Sequence, residues 1–557
     1  MNRDTFVQAT RLAHRRQCQW CREPGPVTER VFADLLAQSR WTAFGHDHGL
    51  GRVRTVADFK AAVPVRGYDV FRGYVDRIRT GEKRVLTESD PYALLTTSGT
   101  TGSPKYIPTT RHWRNRYRGP ALYAQWGLYF QRLGLDRYRP GNVLDMSWER
   151  SAVHSPWATG EALPVYSITK RPSSVGPQDW TPPWYGERWF LDDSGDLSLY
   201  VKLRLLAGSD VRLVAAVNPS RITALADLLN DELEMLLKDL RDGTLMGAPD
   251  RRLTADQEVA ARLEAAFAFS GRVTLTDLWP QLSLLVCWNS ASARYYRGWL
   301  ERIAPGIPLI PFSTTGTEGI VTLPVDTHTS AGPLAVDQGL FEFVPCNPAD
   351  AGEPLDPDVE TYTPEALESG GTYRLVMSQA NGLYRYDTGD IYRVVGRVGH
   401  LPRLDFEGRG GSVTSFTGEK LSESDVHAAI RSAAGHSSVS NSFSVVPVWG
   451  QPPGYVLLME WEGGSGPGSD RFCAHVDAEL GRVNTEYADK RGSGRLRPLR
   501  ARVVLPGTFR RLAERRVARG ASATQVKHRW LNADASLLQE LEEIDTARTP
   551  EDNRGQE

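Results

Sequence analysis

Residues 94–108 read Leu94-Leu-Thr-Thr-Ser-Gly-Thr-Thr-Gly-Ser-Pro-Lys-Tyr-Ile-Pro108, with six Ser/Thr hydroxyls, two glycines and one lysine in a short segment. Glycine lets a backbone come close to an anion, and successive N–H groups can form an anion-binding nest. Hydroxyls add donors, and Lys105 adds a positive charge that can meet a phosphate. The segment is built to hold a polyphosphate; the competing reading is a Ser/Thr-rich turn between two strands. It is not a Walker loop, which needs Gly at 104 and Ser or Thr at 106, where this chain has Pro104 and Tyr106.

Three further segments belong with it. Ser313-Thr-Thr-Gly-Thr-Glu-Gly319 follows an apolar strand, so Glu318 would stand at a strand end and offer oxygen ligation to Mg²⁺. Alone it reads as an exposed turn. Gly382-Leu-Tyr-Arg-Tyr-Asp-Thr-Gly-Asp390 offers an acidic residue that can accept two hydrogen bonds from ribose hydroxyls. Alone, Thr388-Gly389-Asp390 reads as a hairpin turn. Glu407-Gly-Arg409 and Thr417-Gly-Glu-Lys420-Leu-Ser-Glu423 place basic residues on a connection that otherwise reads as a solvated interdomain linker.

The order and spacing of all four resemble the adenylate-forming superfamily, beginning with its Ser-Gly-Thr-Thr-Gly-x-Pro-Lys signature. More closely, the chain resembles the auxin-responsive (Gretchen Hagen) family of acyl-acid amido synthetases. Thr55-Val-Ala-Asp-Phe-Lys-Ala-Ala-Val-Pro-Val65, Tyr74-Val-Asp-Arg-Ile-Arg-Thr-Gly-Glu82 and Asp239-Leu-Arg-Asp-Gly-Thr-Leu245 carry that resemblance. So do Phe341-Glu-Phe-Val-Pro345, Gly382-Leu-Tyr-Arg-Tyr386, Gly507-Thr508-Phe509 and Gln525-Val-Lys527, so it covers nearly the whole chain.

The resemblance implies roles residue by residue. Ser98, Gly99, Thr100, Thr101, Gly102 and Lys105 match the phosphate-binding loop. Thr315 and Thr317 match the adenine side, with Glu318 the Mg²⁺ candidate. Tyr386 and Asp390 match the ribose motif, and Arg409 the hinge arginine. Lys420 and Lys527 are the candidates for a catalytic lysine that approaches the α-phosphate. Two departures stand out. Thr314 occupies the place of the aromatic residue that opens the adenine motif, leaving Phe312 or a neighbour to supply a stacking face. Asp387-Thr388 before Gly389-Asp390 is closer to the general superfamily.

The activity so implied uses ATP and Mg²⁺ to join a small-molecule carboxylic acid to AMP, then passes the acyl group to an amine or amino acid. An acyl-CoA ligase sharing the first step is the alternative. A nucleotide-binding protein without turnover is a third reading, disfavoured by the joint presence of Lys105, Glu318, Asp390 and Lys420. Hydrolysis has no support, since neither a Gly-x-Ser-x-Gly elbow nor an HExxH occurs. Arg111, His112, Arg114 and Arg116 follow the loop as candidate partners of the acid or as surface charges. Glu419, Glu423 and His427 are candidate proton acceptors for the amine, each also readable as merely exposed.

Composition narrows the class. A chain of 557 residues with 40% hydrophobic content predicts more than one domain, and a net charge of −1 argues against a nucleic-acid partner. Arg510-Arg511 and Arg515-Arg516 read as a solvated helix face. The amino terminus lacks the apolar core of a signal peptide, and no run approaches the ~18 apolar residues of a membrane span. Five cysteines in this length are no disulfide framework, so the expected compartment is the cytoplasm. Cys18 and Cys21 form a lone CxxC, read as two ordinary thiols on one helix.

The expected fold is α/β. A large adenylation domain, its β-sheets packed by helices, spans 1–406. A smaller α+β domain at 407–545 rotates between half-reactions, and 546–557 is a disordered tail. Residues 1–90 read as helical, and Tyr92–Pro108 as strand–loop–strand. Asn218-Pro219 starts one helix through Leu240, stopped by Gly243. Strands are expected at Leu282–Trp288, Pro308–Phe312, Gly339–Pro345, Tyr373–Met377 and Ile391–Val395, with a break in strand pattern near 405–412. Beyond it come a helix capped by Ser422, strands at Phe443–Trp449, Tyr455–Trp461 and Arg502–Leu505, and a flexible loop at Gly463–Ser469.

Overall fold

The computed structural model describes the chain apart from residues 1–2, 97–104, 135–137, 140, 148, 152–162, 168–169, 173–181, 188–197, 252, 347–353, 410–412, 415–418, 420, 435–442, 451, 462–466, 495, 519–525, 527, 533–534 and 547–557. Two compact units emerge. The larger holds residues 1–346 and 354–407; the smaller holds 347–353 and 408–557.

The larger unit opens with helices Arg3–Arg22, Gly25–Ser39, Ala43–Asp47, Val56–Ala62 and Tyr68–Arg79. Thr55 starts the fourth through a reciprocal capping box with Asp58. Phe59, Leu35 and Leu36 are buried in one core with Phe71, Leu94 and Tyr386. Cys18 and Cys21 lie on the first helix as free thiols.

Among the described residues, three sheets of three or more strands follow in this unit. Leu309–Pro311, Leu284–Cys287, Leu213–Ala215 and Val143–Asp145 form a four-stranded sheet in that order, every pair parallel. Its strands are short and apolar, as a sheet covered on both faces requires. Tyr106–Thr110 pairs antiparallel with Pro91–Thr96 in a second sheet. A five-stranded sheet runs Gly332–Pro333, Leu401–Arg409, Tyr386–Val398, Thr372–Ser378, Leu340–Pro345. The strand at 401 continues to Arg409, inside the 405–412 range in which the strand pattern was expected to break. The aromatic-rich segment after the loop is core, with Trp113, Tyr117, Tyr123, Trp126, Tyr129 and Phe130 all buried.

One expected helix is two. Pro219–Asp231 is capped by the Asn218 side chain, and a second helix, Leu233–Asp242, ends at Gly243 with φ +69°. The break is tertiary. Asn230 donates to the Val273 carbonyl at 2.9 Å and accepts from the Val273 N–H at 2.8 Å.

In the smaller unit, Phe443–Val448 and Gly454–Glu460 pair antiparallel, and Arg500–Val504 joins parallel to the latter. Ser422 and Asp425 form a reciprocal cap on helix Glu423–Ala434, which buries Val426, Ala429 and Ile430. Helix Pro467–Val483 begins inside the stretch expected to be a loop. Arg510, Arg511, Arg515 and Arg516 share helix Thr508–Ala518, and Arg516 pairs with Glu540 at 3.3 Å. Among the described residues, no helix is long and apolar enough to cross a membrane.

Candidate active site

Lys105 leads into the strand Tyr106–Thr110, whose pairing of Tyr106 with Thr96 brings the two ends of the 97–104 segment side by side. The Lys105 ammonium donates to the Tyr386 hydroxyl at 3.1 Å. It also lies 5.7 Å from the ring centroids of both Tyr68 and Tyr386, so two aromatic faces hold one cation. The Tyr68 hydroxyl accepts from the Tyr106 N–H at 2.7 Å and donates to the Tyr106 carbonyl at 2.8 Å, which fixes the residue next to Lys105. Burial pushes that hydroxyl up to about 12, so it stays protonated.

Tyr386 is fully buried. Its aim is set by Arg385, a non-glycine residue at φ +46°. Such a conformation persists only when its surroundings over-determine it. Here the guanidinium donates to Glu342 at 2.9 and 3.0 Å, to the Lys60 carbonyl at 2.9 Å and to the Val63 carbonyl at 2.7 Å. Residue 66 then bridges the backbone on both sides of Tyr386: Arg66 N–H donates to Arg385 at 3.2 Å, and Asp387 N–H to Arg66 at 2.9 Å.

Asp387 and Asp390 are three residues apart and differ in role. Asp387 is buried and takes a bidentate pair from Arg374, at 2.8 and 2.5 Å. Asp390 is partly exposed. The register jumps between Arg374↔Ile391 and Val376↔Asp387, leaving residues 388–390 as a bulge with Gly389 at φ +72°. Thr388 donates to the Leu375 carbonyl at 2.9 Å and accepts from the Asp390 N–H at 3.0 Å. The turn chemistry of Thr388-Gly389-Asp390 thus makes a bulge inside one long strand, not a hairpin end.

Thr315, Thr317 and Glu318 sit on the hairpin joining Thr314–Thr315 to Ile320–Thr322. Glu318 is only 7% exposed, which removes the exposed-turn reading. A Cβ at Gly316 would stand 2.6 Å from the Glu318 Oε2, so the carboxylate folds back over that glycine. Among the described residues the Glu318 carboxylate has no hydrogen bond or ion pair. Asn381 donates to the Glu318 carbonyl at 2.8 Å, tying this hairpin to the turn that carries Tyr386. Phe312, the expected stand-in for the missing aromatic, is buried.

A helix runs beside the hairpin. From Gly119–Arg132 the Tyr129 hydroxyl donates to the Pro311 carbonyl at 3.0 Å, and Gln125 Oε1 accepts from the Ser313 N–H at 2.8 Å. From the π-helical turn Arg114–Arg118 just before it, Arg118 donates to the Gly316 carbonyl at 3.3 Å. Of the basic run after the loop, His112 lies 2.7 Å from Asp34, with Arg116 farther at 3.9 Å. Arg111 covers the Tyr92 ring at 5.6 Å. Arg118, which sequence reasoning passed over, is the buried member, 5% exposed. Its signal was helical spacing: residues 118, 125 and 129 fall on one face.

Ser98, Gly99, Thr100, Thr101, Gly102, Lys420 and Lys527 lie outside the described residues, as does the Arg409 side chain. In the smaller unit the candidate bases are not exposed. Glu419 is fully buried and accepts from the Tyr455 hydroxyl at 2.6 Å. Glu423 accepts from the Trp530 N–H at 2.9 Å. His427 is buried, and burial, then the Arg431 charge, lowers it to about 3.

The larger unit thus carries a four-stranded parallel sheet and a five-stranded sheet, and the smaller unit is α+β. The chain belongs to the GH3 family: its residues 13–309 match the GH3 family N-terminal domain, 332–409 the central domain and 424–536 the C-terminal domain. It is 26% identical over 538 residues to indole-3-acetic acid-amido synthetase GH3.4 of Arabidopsis thaliana, covering 91% of this chain and 89% of that one. It is 25% identical over 548 residues to indole-3-acetic acid-amido synthetase GH3.8 of Oryza sativa subsp. indica, covering 90% and 87%. In fold it is similar to the AtGH3.15 acyl acid amido synthetase in complex with 2,4-DB, with TM-score 0.75, 21% identity and coverage of 98% and 97%.

Proposed function

We propose that the protein is an ATP-dependent acyl-acid amido synthetase. The observation that carries this reading is the continuity of three motifs: Lys105 on Tyr386, the Tyr386 turn on Glu318 through Asn381, and Asp390 on the same strand as Tyr386. In the first step a carboxylate oxygen bonds to the α-phosphorus of ATP as the α–β bridging bond breaks. Acyl-AMP forms and pyrophosphate leaves. Lys105 offsets phosphate charge, and Asp390 accepts from the ribose hydroxyls. Such a step is positioning and charge neutralisation. In the second, an amine attacks the acyl carbonyl, the C–O bond to phosphate breaks, and AMP departs. The amine must lose a proton to a base or to water.

The residues fit Mg²⁺. Glu318 is a desolvated carboxylate with no described protein partner, and this ion takes one or two carboxylates, with substrate phosphates and water completing its shell. No cluster of three or more potential ligands occurs among the described residues. When bound it would supply charge neutralisation to the phosphates.

Lys420 and Lys527 remain the candidates for the lysine at the α-phosphate. The four loop residues after Ser98, with Ser98 itself, remain the phosphate nest, with Thr315 and Thr317 on the adenine side. A rotation of the smaller unit about residues 405–412, with Arg409 in the hinge, would exchange the groups facing the substrate between steps. The acid of the curated relatives, indole-3-acetic acid, is the first to try, with an amino acid as acceptor.

The test is acid-dependent ATP–pyrophosphate exchange, followed by presentation of preformed acyl-AMP with either coenzyme A or amino acids. Amide is expected; thioester as sole product would overturn the acceptor while keeping the adenylation step. ADP in place of AMP would overturn the whole reading.

A further inference from the structure

Three residues of the short segment 66–71 touch the Lys105–Tyr386 contact, and none of them is among the candidates read from sequence. Arg66 bonds through its backbone on both sides of Tyr386: its N–H donates to the Arg385 carbonyl at 3.2 Å, and its carbonyl accepts from the Asp387 N–H at 2.9 Å. Phe71 meets the Tyr386 ring edge-on, with centroids 6.0 Å apart and planes at 87°. Between these two, Tyr68 opens helix Tyr68–Arg79 and reaches the other member of the contact. Its ring centroid lies 5.7 Å from the Lys105 ammonium. Residues 68 and 71 are three apart on one helix and so share a face, which lets a single turn meet Lys105 and Tyr386 together.

The Tyr68 hydroxyl does a second thing. Among the described residues Tyr106–Thr110 is the edge strand of its sheet, and an edge carries backbone groups that no neighbouring strand takes up. The N–H and carbonyl of one strand residue point to the same side. A single hydroxyl that accepts from the Tyr106 N–H at 2.7 Å and donates to the Tyr106 carbonyl at 2.8 Å therefore replaces the missing neighbour at that residue. Burial keeps the hydroxyl protonated, as donation requires. The strand is pinned at the residue next to Lys105.

We propose that Tyr68 is a positioning residue of the adenylation step, acting on ATP only through Lys105. The assignment rests on the amido-synthetase reading, in which Lys105 offsets phosphate charge. A lysine ammonium is a point charge on a flexible stem, so placing it takes both a fixed backbone and a wall beside the side chain. Tyr68 supplies the first through its hydroxyl and the second through its ring, whose face attracts the cation. Because the same segment holds Tyr386 through Arg66 and Phe71, it is the template on which the lysine and its tyrosine partner are set against each other.

The experiment measures ATP affinity by calorimetry in wild type, Tyr68→Phe and Tyr68→Leu, and again with each of the three in a Lys105→Ala background. Melting temperatures control for folding. Tyr68→Phe keeps the ring and nearly all the volume, so it carries the test where Tyr68→Leu does not fold. The expected loss with Lys105 present is roughly tenfold in Tyr68→Phe and more in Tyr68→Leu, falling to less than about twofold for either once Lys105 is gone, because residues that act through one contact are not additive. Equal losses in the two backgrounds would make Tyr68 merely structural and overturn the assignment. Unchanged ATP affinity in folded Tyr68→Phe overturns it too, as does a wild type that binds no ATP. ATP–pyrophosphate exchange with indole-3-acetate, benzoate and hexanoate runs beside the titrations. A non-additive cycle with no exchange by wild type upholds the assignment and fails the amido-synthetase reading.

Discussion

The Lys105 ammonium and the Tyr386 hydroxyl stand 3.1 Å apart, although 281 residues separate them in sequence. Lys105 and the start of the Tyr386–Val398 strand are thereby registered to each other by one hydrogen bond and a pair of tyrosine rings. Tyr386→Phe keeps the ring and removes the hydroxyl. A hydrogen bond to a charged group contributes about 1.5–3 kcal/mol, so kcat/KM for ATP in pyrophosphate exchange should fall roughly tenfold or more. An unchanged value would show that Lys105 is positioned by other contacts.

Asp387 and Asp390 should separate stability from binding. Asp387→Asn weakens the partner of a buried arginine and should destabilise the fold by about 3 kcal/mol, visible as a lower melting temperature. Asp390→Ala should leave melting near wild type and weaken ATP binding about tenfold or more, through lost ribose hydrogen bonds. Calorimetry showing full ATP affinity in Asp390→Ala would return this residue to the role of a bulge former.

Glu318→Gln should raise the Mg²⁺ concentration needed for half-maximal exchange several-fold, because an amide oxygen is a weaker ligand for a hard cation. Superimposable magnesium titrations of variant and wild type would remove Glu318 from the metal site.

The smaller unit should be acid-sensitive through His427. Burial favours its neutral form, so its folded value is depressed from 6.5 to about 3. The stability this contributes is present above 6.5 and is lost as pH falls toward the folded value. At a pH of about 4.5, two units below the unfolded value, the loss is about 2–3 kcal/mol. His427→Leu should therefore resist acid better than wild type at that pH and match it more closely at pH ~8. Parallel denaturation curves at both pH values would contradict this.

Much of the fold was legible because its signals are local. The Thr55, Asn218 and Ser422 caps, the Gly243 stop and the apolar strands need only a few neighbouring residues to be read. What sequence hid depends on distant partners. The break at Glu232 needs Val273, 43 residues from Asn230. The 388–390 bulge needs the strand carrying Arg374 and Leu375. Glu419 is hidden by Tyr455, which makes a charged-looking linker residue part of a core. In the candidate site the same division holds. Lys105, Glu318 and Asp390 are candidates by residue type and spacing, and what the structure adds is the Lys105–Tyr386 contact and the burial of Glu318, whereas Arg118 is not among the sequence candidates and stands out only by its burial.

Arg385 reaches back across 322 and 325 residues to the Val63 and Lys60 carbonyls. On a ribosome those carbonyls emerge long before the arginine that will bind them. The amino-terminal helices can form early, but the tyrosine that meets Lys105 cannot be locked in place until the chain has been made well past residue 385. Assembly of the proposed nucleotide site is therefore a late event in biosynthesis, and a nascent chain arrested before the Tyr386–Val398 strand would carry Lys105 without the tyrosine that meets it.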